Sequence, residues 1–255
     1  TLTNIGISVD GTLNLTGNIK SSETASIYTA KDLTVDKTVS SKNTYVGSIG
    51  DMTFTGKALE GTDTLTLEAE KSINQTKGSA IAANTKAKAG KNINLTSTTN
   101  KLQNVSIDAK NGSATIVNAN DADGDLNVTT VGKVANDLTI TNLKNGKANA
   151  VRFDKNLQAG GTIAVTNEEA DIEVANGTTM EAQHISLTAK DNNVKFTGGT
   201  VTANKDLTAN AQNVNVTNGT LKATNKVLFK AGKIVSLQGD KISAKTIRVE
   251  AEKLA

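Results

Sequence analysis

From Ile185 to Val249 one short apolar phrase returns about every twenty residues, and that step constrains the fold more than any other feature of the chain. Ile185-Ser-Leu187, Leu207-Thr-Ala209, Val227-Leu-Phe229 and Ile247-Arg-Val249 begin at steps of 22, 20 and 20. Between them run Ile172-Glu-Val174, Val194-Lys-Phe196, Val214-Asn-Val216 and Val235-Ser-Leu237, at steps of 22, 20 and 21. A third series, Val201-Thr-Ala203, Leu221-Lys-Ala223 and Ile242-Ser-Ala244, follows a glycine corner, and Gly177, Gly199, Gly219 and Gly239 keep the same step. In an extended chain the first and third residues of each phrase share one face and the middle residue takes the other. A hairpin sheet gives no reason for the same strand to recur at twenty. A parallel coil does, because each strand pairs with its counterpart one turn on, about 4.8 Å away.

The same step is present near the start. Leu13-Asn-Leu15, Leu33-Thr-Val35 and Met52-Thr-Phe54 begin at steps of 20 and 19. In the middle, strand-like pieces such as Leu65-Thr-Leu67, Ile93-Asn-Leu95, Leu126-Asn-Val128, Leu138-Thr-Ile140 and Val151-Arg-Phe153 are less evenly spaced. The polar stretches Thr76–Asn92 and Asn118–Asp125 read there as loop insertions. Asn-Gly pairs at 111, 145, 176 and 218 read as turns with positive φ. The expectation is an all-β fold, a single right-handed parallel β-helix with three short strands per coil of roughly 20 residues. At that step, 255 residues make about twelve coils. One domain is expected over 1–255, most regular over 160–255 and loop-rich over 76–160. The register predicts Phe196 beneath Val216 and Leu237. It also places Glu173 against Lys195 and Lys230 against Glu250 as neighbouring opposite charges.

Composition agrees with a narrow layered interior. Only 2% of residues are aromatic, Trp, Pro and Cys are absent, and the apolar residues are mostly small or β-branched. The apolar runs are too short to span a bilayer as helices. The start has no pattern of a signal peptide. With 28 basic and 25 acidic residues in mixed order, net charge +3, the chain lacks the clustered cations and stacking aromatics of a nucleic-acid groove.

Candidate chemistry is sparse. Asp121, Asp123 and Asp125 offer hard oxygens at alternate positions, as Ca²⁺ favours, but Gly124 falls at the wrong place for an EF-hand loop and no suitable Glu follows. Glu168, Glu169, Asp171 and Glu173 form the densest carboxylate run, the residue type that sugar-cleaving enzymes pair. Lys195, one coil on, and the absence of nearby aromatics favour a charged corner. His184, the sole histidine, has no Cys or second His with which to build a metal site. The glycine pairs Gly160-Gly161 and Gly198-Gly199 read as corners, and Thr139-Ile-Thr141 as an outward Thr pair of the kind seen in ice-binding arrays. No catalytic, cofactor-binding or metal-ligating residue is assigned from these readings.

The run Leu207-Thr-Ala209-Asn-Ala211-Gln-Asn213-Val-Asn-Val216-Thr-Asn-Gly219-Thr-Leu221-Lys-Ala223, echoed by Ile185-Ser-Leu187-Thr-Ala189, Leu65-Thr-Leu67-Glu-Ala69 and Ala89-Gly-Lys-Asn-Ile93-Asn-Leu95, resembles the repeats of filamentous-haemagglutinin-type exoproteins. The texture extends over most of the chain and is strongest from about 160 to 255. The resemblance implies a rod segment of a large bacterial adhesin, secreted or surface-displayed by two-partner secretion through an outer-membrane transporter. It implies no catalysis and no cofactor. The Asn-Pro export motifs of that family's secretion domain are missing, so the chain resembles the shaft. Its expected partners are neighbouring coils of a longer chain or end-to-end copies, a host-cell surface or glycans, and no nucleic acid. The competing reading is a β-helical polysaccharide-active enzyme or phage-type carbohydrate-binding protein with a cleft built from 76–160.

Overall fold

The computed structural model describes residues 2–255, and every regular element among them is a β-strand. All strand pairings described below are parallel, and each joins a strand to its counterpart about 20 residues on, giving a solenoid of about twelve turns. The described chain forms two compact units, one ending at Ala122 and the other starting at Asp123.

In the first unit the short phrases stack as read. Leu13, Leu33, Met52, Ile73, Ile93 and Ala114 form one continuous ladder position. The rest of each coil is one long strand, such as Val39–Ser48 or Ala58–Ala69. These long strands bend where the register slips, between Ser41 and Asn43 and between Gly61 and Thr64. Two of the three expected strands per coil are therefore fused through a bulged corner, which turns the chain without ending its pairing. The slip also absorbs the difference between coils of 19 and 21 residues. Thr76–Asn92 is not a loop insertion. Ser79–Ala89 is a strand of 11 residues paired on both sides. Its inward positions are Ala80, Ala82, Thr85, Ala87 and Ala89, all buried. Inward alanine and threonine leave little apolar contrast in the sequence.

In the second unit Ile172, Val194, Val214 and Val235 stack at one inward position, and Ile185, Leu207 and Val227 at another, a file that Ile247 continues in register but exposed. Phe153, Val174, Phe196, Val216 and Leu237 form a third inward file in which large and small residues alternate. Phe196 lies against Val216 as the register predicts, and both are fully buried. Alternation of this kind fills each layer without forcing rotamers. The wide coils are real: residues 131–137 and 143–150 hold no strand, only an isolated bridge from Val134 to Ala159.

The corners are held by a recurring device. Asp or Asn just before a short strand accepts, through Oδ1, the backbone N–H of the same corner one coil on. Asp32 holds Asp51 at 2.9 Å, Asp51 holds Ser72 at 3.0 Å and Asn92 holds Ser113 at 3.0 Å. Asp125 holds Ala150 at 2.9 Å, Asp137 holds Thr162 at 2.7 Å and Asp171 holds Asn193 at 2.9 Å. Each bond satisfies a donor that the ladder leaves open at a bend. Two Asn-Gly turns, at Gly146 and Gly177, take positive φ as expected, whereas at 218 it is Asn218 itself that does so, with φ of 54°. Gly112 is not among the positive-φ residues; it is needed for room, since a Cβ there would meet the Asn92 side chain and the Lys91 backbone.

Buried amides replace apolar residues at two levels. Asn100, with no exposure, shares its two N–H groups among Gln75 Oε1, Leu95 O and Val117 O, and accepts from Gln75 Nε2 and Ala80 N at 2.7 and 2.8 Å. In the other unit Asn142 donates to Asn167 Oδ1 and Asn149 O, and Asn167 donates to Asn149 O and Asp171 O. Such fully bonded amides fix the stacking register, because any slip would strand them without partners.

Candidate functional site

The three aspartates of the 121–125 stretch each face a different cation. Asp121 pairs with Lys101 at 2.7 Å, Asp123 with Lys147 at 3.1 Å and Asp125 with Arg152 at 3.1 Å. Asp125 also carries one of the corner bonds described above. Calcium needs several oxygens turned to one point. Among the described residues no three His, Cys, Asp or Glu side chains are so grouped.

The carboxylate run at 168–173 does come together at one corner, but its members anchor structure. Glu169 accepts the backbone N–H groups of Asn145 and Gly146 at 2.8 and 2.9 Å, tying down the wide 143–150 connection. Glu168 bonds Lys190 and the Lys144 N–H. Asp171 bonds Lys195 and takes two bonds from Asn193. Lys195 is thus the ladder neighbour of Glu173 but ion-pairs with Asp171, while Glu173 pairs with Arg152 one coil back, at 3.0 Å. The expected Lys230–Glu250 neighbours are likewise in register, yet the Glu250 carboxylate meets Arg248 at 2.7 Å. Long side chains reach diagonally, so ladder register alone does not select the partner.

These contacts set the acidity of the corner. The Lys190 hydrogen bond, aided by the Lys144 N–H, lowers the pKa of Glu168. The backbone N–H of Asn145 is the largest influence lowering Glu169. Burial pushes Asp171 upward, but hydrogen bonds from Lys195 and Asn193 outweigh it and hold the carboxyl below its ordinary range. A glycosidase acid needs the opposite, a carboxyl held protonated near neutral pH.

His184 lies at a register slip and faces Asp206 across the ladder at 3.3 Å, both partly exposed. Gly160 and Gly161 pack against Ala135 and Asp137 of a neighbouring corner, and Gly198, with φ of 67°, against Asn176. Both pairs sit at corners. Thr141, Thr166 and Thr188 stack in one outward file, but Thr139 meets Ala164 and then Ser186, so no second Thr column forms.

A further cluster has no counterpart in the sequence reading. Tyr28 and Tyr45, the only tyrosines of the chain, converge over Gly47 on the outer face of the first unit. Tyr45 Oη donates to Glu68 Oε2 at 3.3 Å, and a hollow of about 90 Å³ opens beside them, bordered also by Ile49, Glu70 and Lys88. Burial first, then the Glu68 charge and hydrogen bond, raise the pKa of Tyr45. The two residues are 17 apart, off the step of twenty, so periodicity conceals their meeting.

No family model, curated protein or solved structure matches the chain.

Proposed function

We propose that the chain is a structural, non-catalytic segment of a large bacterial exoprotein of the filamentous-haemagglutinin type. In this reading it stands outside the cell, secreted or surface-displayed after export through an outer-membrane transporter. It spaces and supports adhesive contacts with a host surface or its glycans. One observation carries the reading: the interior is constant while the exterior varies. Along the ladder Val151, Ile172, Val194, Val214 and Val235 all point inward, whereas the adjoining outward residues are Arg152, Glu173, Lys195, Asn215 and Ser236. A surface with no repeated chemical set, over a core that repeats, suits a spacer. The corner at 168–171 and the separate ion pairs of Asp121, Asp123 and Asp125 support the same reading, since lowered carboxyls do not suit the protonated acid that glycoside cleavage needs.

A reducing-end assay over a panel of bacterial and host polysaccharides tests it. No release of reducing ends is expected. Saturable release by the intact chain, abolished by Asp171→Asn or Glu173→Gln, would replace this reading with a polysaccharide-active enzyme.

A further inference from the structure

We infer that the hollow between Tyr28, Tyr45 and Glu68 is a binding site for one neutral pyranose ring of a glycan. The site follows from a single gap in an outward file. Reading up the sheet face, the file is Ser8, Tyr28, Gly47, Glu68, Lys88 and Asp108. Gly47 adds no side chain, so Tyr28 and Glu68 stand two coil spacings apart, about 9.6 Å. The phenol of Tyr45, from the neighbouring file, folds into this gap. A Cβ on residue 47 would lie 2.6 Å from Tyr45 Oη, 3.0 Å from its Cζ and 3.1 Å from Tyr28 Cδ2. The ring is therefore laid along the sheet and fixed there by its bond to Glu68.

The surroundings of the ring have the composition of a sugar subsite. An aromatic face offers a stacking surface for the C–H face of a pyranose. Glu68, whose carboxylate already meets Tyr45, borders the hollow together with Glu70 and Lys88, residue types that accept from and donate to ring hydroxyls. Tyr28 is 37% exposed and Ile49 47% exposed, so part of the apolar floor remains open to a ligand. A few placed polar groups around an apolar floor are the usual make-up of a small-ligand site. The rim carboxylates repel phosphates and other anions. Lys88 disfavours a bare cation, which leaves a neutral polyol as the matching chemistry. The hollow is shallow and open, so it covers a single ring at the end or edge of a longer chain. The site stands on local geometry alone: its failure leaves the non-catalytic reading untouched, and sugar cleavage would overturn that reading without removing the site.

With no Trp in the chain, intrinsic fluorescence reports only Tyr28 and Tyr45. The intact protein is titrated with methyl glucoside, methyl galactoside, methyl mannoside and N-acetylglucosamine, with spermine as a cationic control. A saturable response to at least one sugar is expected, weakened about tenfold by Tyr28→Ala and by Glu68→Gln, and retained in Tyr28→Phe. Circular dichroism of each variant checks that the coil is intact. Three results would overturn the site. These are no saturation by any of the four sugars below about 100 mM, saturation by spermine alone, or a sugar affinity unchanged in Tyr28→Ala.

Discussion

Thr85 occupies an inward position whose ladder neighbours are Leu65 and Val105, and its hydroxyl, fully buried, makes no hydrogen bond. The desolvated oxygen costs stability that no partner returns. Thr85→Val keeps the shape and removes that oxygen, so it is expected to stabilise the protein by about 1 kcal/mol. A higher urea midpoint at unchanged m-value would show it. Tyr45 gives a second test at this scale. In a tyrosinate absorbance titration its ionisation is expected above the ordinary value of about 10. In Glu68→Gln it moves back down, because the neighbouring negative charge is gone. A Tyr45 pKa unmoved by this substitution would show that Glu68 does not hold the phenol.

Among the elements, those with large apolar residues at both inward positions are readable from the sequence, as at Leu33-Thr-Val35 or Val194-Lys-Phe196. The strand Ser79–Ala89 is not, because its inward side is alanine and threonine. Nor is Ile73–Gln75, where an inward Gln75 breaks the apolar pattern. Gln75 is tolerated because Asn100 meets both ends of its amide. That pairing joins residues 25 apart and has no local signal. The tyrosine cluster was hidden for a related reason, since it exists only through the gap at Gly47 in a different file. Asn100→Ala removes acceptors and donors from Gln75, Ala80, Leu95 and Val117 at once. It is expected to cost about 3 kcal/mol or more, with thermal unfolding as the measure. A loss below 1 kcal/mol would mean that water replaces the amide, contrary to its complete burial.

For the molecule as a whole, pH dependence follows from the corner at 168–171. The pKa values of Glu168, Glu169 and Asp171 all lie below their unfolded values, so the folded chain binds fewer protons than the unfolded chain between the two. Their contribution is therefore present above the unfolded carboxylate range near pH 4. It is lost as pH falls through the lower folded values. Urea midpoints are expected to drop with acid below about pH 4, and Asp171→Asn to flatten that drop. Core damage should behave differently. In a stacked fold each coil touches only its neighbours. Phe196→Ala is expected to cost about 3–5 kcal/mol, with amide-exchange protection lost first beside Val174 and Val216. Uniform loss of protection through the second unit would show that its coils unfold together.

The ladder in which Val194 faces both Ile172 and Val214 has a consequence for heredity. Excision of residues 194–213 would bring Val214, Val216 and the coil beyond them down onto Ile172 and Val174. The inward positions would still meet apolar residues, Val216 in place of Phe196 on Val174 and Phe229 in place of Ala209 on Leu187. A cut of ten residues would instead set corners against strands. A gene for such a chain can therefore gain or lose whole coils by recombination between repeats while the product still folds, and the natural unit of its variation is the turn rather than the residue.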